Sequence, residues 1–104
     1  MEEKHYKLSI LPLFEEDLND IIDYISVNLQ NPIAAENFID EVENAIRERL
    51  FCAEAFEPYH SRKERQYPYY RIQVKNYTIF YVVIGDTMEV RRILYSRRDM
   101  SKQV

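Results

Sequence analysis

The spacing of apolar residues changes once along this chain, and that change limits the folds open to it. Phe14, Leu18, Ile21, Ile22, Ile25 and Leu29 draw one stripe along a helix. A second stripe runs through Ala35, Phe38, Ile39, Val42, Ile46 and Leu50. From Tyr69 onward the period falls to two, and the residues become aromatic and β-branched, as in strands. A chain that is helical and one-sided early, then sheet-forming late, buries both apolar surfaces by packing one on the other. This is an α+β layout.

Local signals set the boundaries. Tyr6 to Leu11 alternates enough for a first strand, and Pro12 ends it near the opening of a helix. Glu15, Glu16 and Asp17 crowd that helix's first turn, where the macrodipole favours negative charge. Asn31-Pro32 reads as an N-cap with proline at the first helical position. The joint is short, so the two helices form an antiparallel hairpin. Residues 51–68 hold two prolines and the polar run HSRKERQ and read as an irregular crossover. Three strands follow: Tyr69 to Val74, Tyr77 to Ile84, and Thr87 to Tyr95. Lys75-Asn76 and Gly85-Asp86 are the turns between them. The middle strand is apolar on both faces, which predicts a central place. The expected order is β-α-α-β-β-β in one domain over residues 1–104. A helical hairpin covers a mainly antiparallel four-stranded sheet, provided the first strand joins the sheet rather than hanging free.

Composition narrows the chemistry. One glycine in 104 residues argues against glycine-rich phosphate loops. Cys52 is the only cysteine, which rules out an intrachain disulfide and fits a reducing compartment. His5 and His60 are the only histidines and lie far apart, so neither a metal centre nor a cofactor is expected. No apolar run reaches membrane-helix length and no secretory leader is visible, so a cytoplasmic location is expected. Any chemistry here would fall to arginine, lysine and tyrosine.

The charge is unevenly distributed. Residues 1–59 hold four basic and 14 acidic residues, a net of −10, whereas residues 60–104 hold ten basic and four acidic, a net of +6. Either the halves balance each other within one fold or across a dimer, or the second half carries an anion-binding surface. Arg71 and Gln73 alternate with Ile72 and Val74 and so face away from the core. Arg91 and Arg92 fall on opposite faces of their strand, and Arg97 and Arg98 prolong its end. Tyr69, Tyr70, Tyr77, Tyr81 and Tyr95 interleave with these cations. Arginine forks bind phosphate oxygens, and tyrosine faces stack on bases.

The segment YYRIQVKNYTIFYVVIGDTMEVRRILYSRRDM resembles the C-terminal sheet of the RelE/ParE family of toxins from bacterial type II toxin–antitoxin modules. The matching features are Tyr70-Arg71, then Asn76-Tyr77-Thr78-Ile79-Phe80-Tyr81, then Arg97-Arg98-Asp99. The N-terminal stretches EEDLNDIIDYI and NPIAAENFIDEVENAI fit as well, so the resemblance spans nearly the whole chain. It implies a growth-inhibiting toxin neutralised by a cognate antitoxin, by one of two mechanisms. One branch cleaves messenger RNA on the ribosome without a metal, and the other poisons DNA gyrase. For a nuclease the resemblance would nominate Arg71, Arg98 and Tyr95 as catalytic. For target or antitoxin binding it points to Arg92, Arg97, Arg98 and Tyr77. Two further basic positions of the nuclease branch are Gln73 and Thr78 here, so the expectation leans to gyrase. The alternatives are the ribosome-dependent endoribonuclease and a non-toxic relic that still binds antitoxin.

Overall fold

The computed structural model describes residues 5–58 and 66–97. His60, most of the polar run around it, Arg98 and the tail beyond lie outside the described residues. The element order is β1 (Lys7–Ile10), α1 (Pro12–Asp23), a π-helical turn (Tyr24–Asn28), α2 (Pro32–Arg49), β2 (Tyr70–Val74), β3 (Tyr77–Ile84) and β4 (Thr87–Tyr95). The strands form one sheet in the order β1-β4-β3-β2. β2, β3 and β4 pair antiparallel, and β1 joins the sheet by running parallel to β4, with Lys7 opposite Thr87 and Ile10 opposite Val90. The fold is thus the expected α+β arrangement, with the first strand in the sheet.

The turn and cap chemistry acts where the sequence places it. Pro12 occupies the first turn of α1. Asn31 caps α2 by accepting the Ala34 amide at 3.1 Å, with Pro32 next in line. Gly85 adopts φ +62° between β3 and β4, a left-handed conformation that glycine enters without a Cβ penalty. Lys75 takes φ +51° in the β2–β3 turn and has no such freedom.

One face of the sheet packs against the helices. Phe14, Phe38, Val42 and Ile46 meet Ile72, Ile79, Tyr81 and Val90 in the main core. Burying each such side chain contributes roughly 1.5–3 kcal/mol. The other face is also dry near its centre. Phe80 and Val82 are wholly buried there beside Leu94, and Tyr69 packs edge-on against Phe80 at 6.0 Å between ring centres. β3 is therefore central in both senses, flanked by strands and buried on two faces.

Two irregularities depart from the simple periodic reading. The first is a bulge: Tyr81 lies opposite Val90 but Phe80 lies opposite Arg92, so Arg91 is the extra residue in β4. The second ends the first helix. The Leu29 amide donates to the Tyr24 carbonyl at 3.0 Å, five residues back, and Asn31 donates to Ile25 at 3.1 Å. Gln30 then turns the chain with φ +52°. Leu29, expected in the core stripe, is instead 55% exposed.

The segment after α2 is irregular but tied down. The Tyr81 hydroxyl donates to the Ala53 carbonyl at 2.6 Å and accepts from Arg49 Nη1 at 2.9 Å. The Arg49 guanidinium also donates to the Arg71 carbonyl at 3.0 Å and lies 3.6 Å above the Phe56 ring centre. Burial pushes the Tyr81 hydroxyl above its ordinary value of 10.0, against the opposing pull of Arg49.

Candidate functional site

Strand alternation sends the sequence-nominated residues to two different faces. On β2, Ile72 and Val74 enter the helix-covered core, so Arg71 and Gln73 project from the opposite, outer face. Thr78 of β3 and Ser96, just past β4, join Gln73 there. Gln73 Nε2 donates to the Lys75 carbonyl at 2.7 Å and to Ser96 Oγ at 2.8 Å. Thr78 Oγ1 donates to Gln73 Oε1 at 3.0 Å and lies 2.8 Å from Ser96 Oγ. The two positions where a nuclease would carry cations are therefore filled by a small neutral network whose members satisfy one another. Its side chains do not titrate near neutrality, so the network supplies neither a general acid nor a general base. Arg71 is exposed beside it, and Arg97 is exposed beyond it.

Tyr95 does not stand beside Arg71. Its ring meets Tyr77 edge-on at 5.6 Å, and Tyr77 in turn meets Phe38 of α2 at 5.2 Å. This aromatic run lies on the helix side of the sheet, so β2 and β4 hold Arg71 and Tyr95 on opposite faces. The structure does not assemble Arg71 and Tyr95 into one constellation, and Arg98 lies outside the described residues.

Arg92 is also committed. Its Nε and Nη2 donate to the Asp17 carboxylate at 2.8 and 3.0 Å, and the Ile93 amide donates to the same carboxylate at 3.2 Å. Both side chains are largely buried, 20% and 13% exposed. The hydrogen bond it donates to Asp17 holds Arg92 above its ordinary value despite burial. The pair clamps α1 to β4 at the start of the helical hairpin. Arg91, thrown out by the bulge, takes other partners: Glu89 at 2.8 Å and the face of Tyr69 at 5.8 Å. Burial works against its charge, but hydrogen bonds to Tyr69 and Glu89 outweigh that and raise its pKa. The two arginines thus take different partners, and the bulge between them interrupts strict alternation, since Val90 and Ile93 both enter the helix-side core.

A groove of about 750 Å³ opens where the helical hairpin meets the ends of β3 and β4. Ile21, Ile25, Phe38, Tyr77 and Ile93 form its apolar lining, Tyr24 and Leu29 its helical rim, Tyr95 its sheet rim. Asp17, Asp20, Lys75 and Arg92 supply polar edges. Tyr77, Tyr95 and Arg92 are thus brought together here, whereas the sequence pattern places them with a basic face. Sequence reasoning missed the groove itself, because its helical rim depends on the π-helical turn. Among the described residues no group of three or more His, Cys, Asp or Glu is arranged for a metal ion, and no helix is long and apolar enough to cross a membrane.

Comparison with known proteins bears on this arrangement. Residues 8–100 match the model of the family described as the ParE toxin of the type II toxin-antitoxin system, parDE. A solved structure from the chromosomal ParDE TA system of P. aeruginosa superimposes with a TM-score of 0.69 at 16% identity, over 90% of this chain and 98% of that one. A RelB-RelE antitoxin-toxin complex from Methanococcus jannaschii is more distant. It has a TM-score of 0.45 and 22% identity over 84% of this chain and 88% of that one. No curated protein matches. The family match covers all seven elements save the first residue of β1, and with it the chain belongs to the ParE toxins of type II toxin–antitoxin modules.

Proposed function

We propose that this toxin inhibits growth by binding DNA gyrase rather than by cutting messenger RNA, and that a cognate antitoxin neutralises it by occupying the groove between helical hairpin and sheet. The observation that carries the first part is the closed Gln73–Thr78–Ser96 network. Cleavage by 2′-hydroxyl attack needs cations and proton carriers aimed at the phosphate. This surface offers neutral groups already spent on one another. The exposed Arg71 and Arg97, with Arg98, then serve as a docking strip for the target rather than as an active site. The second part is supported by the kinship with toxin–antitoxin assemblies and by a groove with an apolar floor and charged edges, of the size that takes several side chains.

The test is to induce the toxin in a bacterium without its antitoxin and read two outcomes together. A gyrase poison yields double-strand DNA breaks while messenger RNA 5′ ends stay unchanged. New 5′ ends phased to codons would instead establish a ribosome-dependent nuclease and return Arg71 to the centre of the chemistry. Induction with neither effect, and normal growth, would mark a relic that only binds antitoxin. Within the gyrase reading, Arg97→Ala and Arg98→Ala weaken growth inhibition without altering the unfolding midpoint.

A further inference from the structure

The hydrogen bonds among Gln73, Thr78 and Ser96 have a direction. The Lys75 carbonyl lies 2.7 Å from one end of the Gln73 amide, so that end is the nitrogen and the oxygen faces Thr78. Thr78 gives its one hydroxyl proton to Gln73 Oε1 at 3.0 Å, so in its 2.8 Å contact with Ser96 it can only accept. Ser96 therefore donates to Thr78, Thr78 to Gln73, and Gln73 Nε2 back to Ser96 Oγ at 2.8 Å. The three bonds run one way round a closed ring, in which each strengthens the next. Thr78 is 5% exposed, and a buried hydroxyl requires a partner. Gln73 alone supplies one, yet the ring takes in Ser96 as well.

Ser96 is the first residue past the β3–β4 ladder, whose last pair is Tyr77 with Tyr95. Its amide donates to the Asn76 carbonyl at 2.8 Å, and its hydroxyl both gives and takes a bond in the ring. A chain leaving the end of a strand ordinarily frays, whereas this one is fastened to β3 and to β2 at once. Arg97 follows directly, in the same turn, and is exposed. Among the described residues no carboxylate pairs with it. We infer that Ser96 is a positioning residue: through the ring it fixes the backbone from which Arg97 reaches the toxin's target. This rests on the reading that Arg97 belongs to the strip that meets gyrase. A cation on a fastened backbone loses less conformational freedom on docking than one on a frayed end, so the ring raises affinity without touching the target. A neutral ring suits this task, because a carboxylate in its place would pair with the cation it holds.

The experiment measures, with purified DNA gyrase, the toxin concentration that halves supercoiling. Ser96→Ala keeps the amide bond to Asn76 but opens the ring, and is expected to raise that concentration about fivefold. Ser96→Thr keeps the hydroxyl and is expected to stay within about twofold of the unmodified toxin. A double-mutant cycle separates positioning from plain structural support. Arg97→Ala alone is expected to raise the concentration about tenfold, and Ser96→Ala with Arg97→Ala to match it, since a missing cation cannot be positioned. The backbone is read separately. The heteronuclear NOE of the Arg97 amide is expected to fall in Ser96→Ala and in Thr78→Val, and to hold in Ser96→Thr. If the unmodified toxin inhibits gyrase but Ser96→Ala inhibits equally well, or its loss multiplies with that of Arg97→Ala, this inference is overturned and the gyrase reading stands. An unchanged NOE at Arg97 in Ser96→Ala overturns it too. If the unmodified toxin does not inhibit gyrase at all, both fall.

Discussion

The Asp17–Arg92 clamp makes the sharpest quantitative prediction. Asp17 accepts two hydrogen bonds from the Arg92 guanidinium and one from the Ile93 amide. Asp17→Ala takes the carboxylate from a mostly buried cation and from an amide. Breaking a buried pair from one side costs roughly 3–5 kcal/mol, and the residual solvent access here places the loss near the lower end, about 3 kcal/mol. Arg92→Met keeps the apolar stem and leaves Asp17 its bond from Ile93, so its cost is about 2 kcal/mol. The double variant strands no charge and costs about 2 kcal/mol, little more than the milder single change. The coupling is therefore roughly 2–3 kcal/mol. Urea unfolding of the four proteins at neutral pH, with m-values compared, measures it directly. Costs that add to within about 0.5 kcal/mol would refute the reasoning and show the pair to be no stronger than a solvated surface contact. The same series reports on the groove, because the clamp holds α1 against β4 and so sets the position of its helical rim.

Other outcomes follow from particular residues. Tyr81 is protonated and raised above its unfolded value near 10, so its contribution is complete below that pH and is lost as the pH rises through the folded value. Tyr81→Phe should remove this part of the alkaline loss and cost about 1–2 kcal/mol at neutral pH, because Ala53 and Arg49 lose their partner; denaturation from pH 7 to 11 checks both signs. Lys75→Gly should raise stability by about 0.5–1 kcal/mol by relieving a left-handed backbone, since the Glu41 contact it gives up is exposed. Gly85→Ala should lower stability by about 1 kcal/mol although its new Cβ meets nothing within 4 Å, a pure backbone effect visible in a thermal melt.

Most of this fold is legible in the sequence because it is written in local rules. Asn31-Pro32, Gly85-Asp86 and the change of apolar period each act over a few residues, and each governs the structure as expected. What escapes a local reading depends on distant partners. Nothing near Arg92 announces that Asp17, 75 positions away, will take it out of the basic surface. The bulge at Arg91 is set by pairing with β3, and the parallel seat of β1 by β4. The neutral network combines Gln73 and Thr78, legible as departures from a nuclease, with Ser96, which only the hairpin geometry brings beside them. Leu29 leaves the stripe because a helical stripe assumes a constant angle per residue, and one π-helical turn breaks that assumption.

The parallel pairing of β1 with β4 has a temporal meaning. Register partners such as Lys7 and Thr87 are separated by roughly 80 residues, so this edge of the sheet is a contact of high order and closes slowly. During translation the helical hairpin emerges long before the strand that β1 awaits. The sheet, the clamp on Arg92 and the floor of the groove are completed together, when the last strand clears the ribosome. A nascent chain therefore carries no finished sheet, and no groove floor, until β4 has paired with β1.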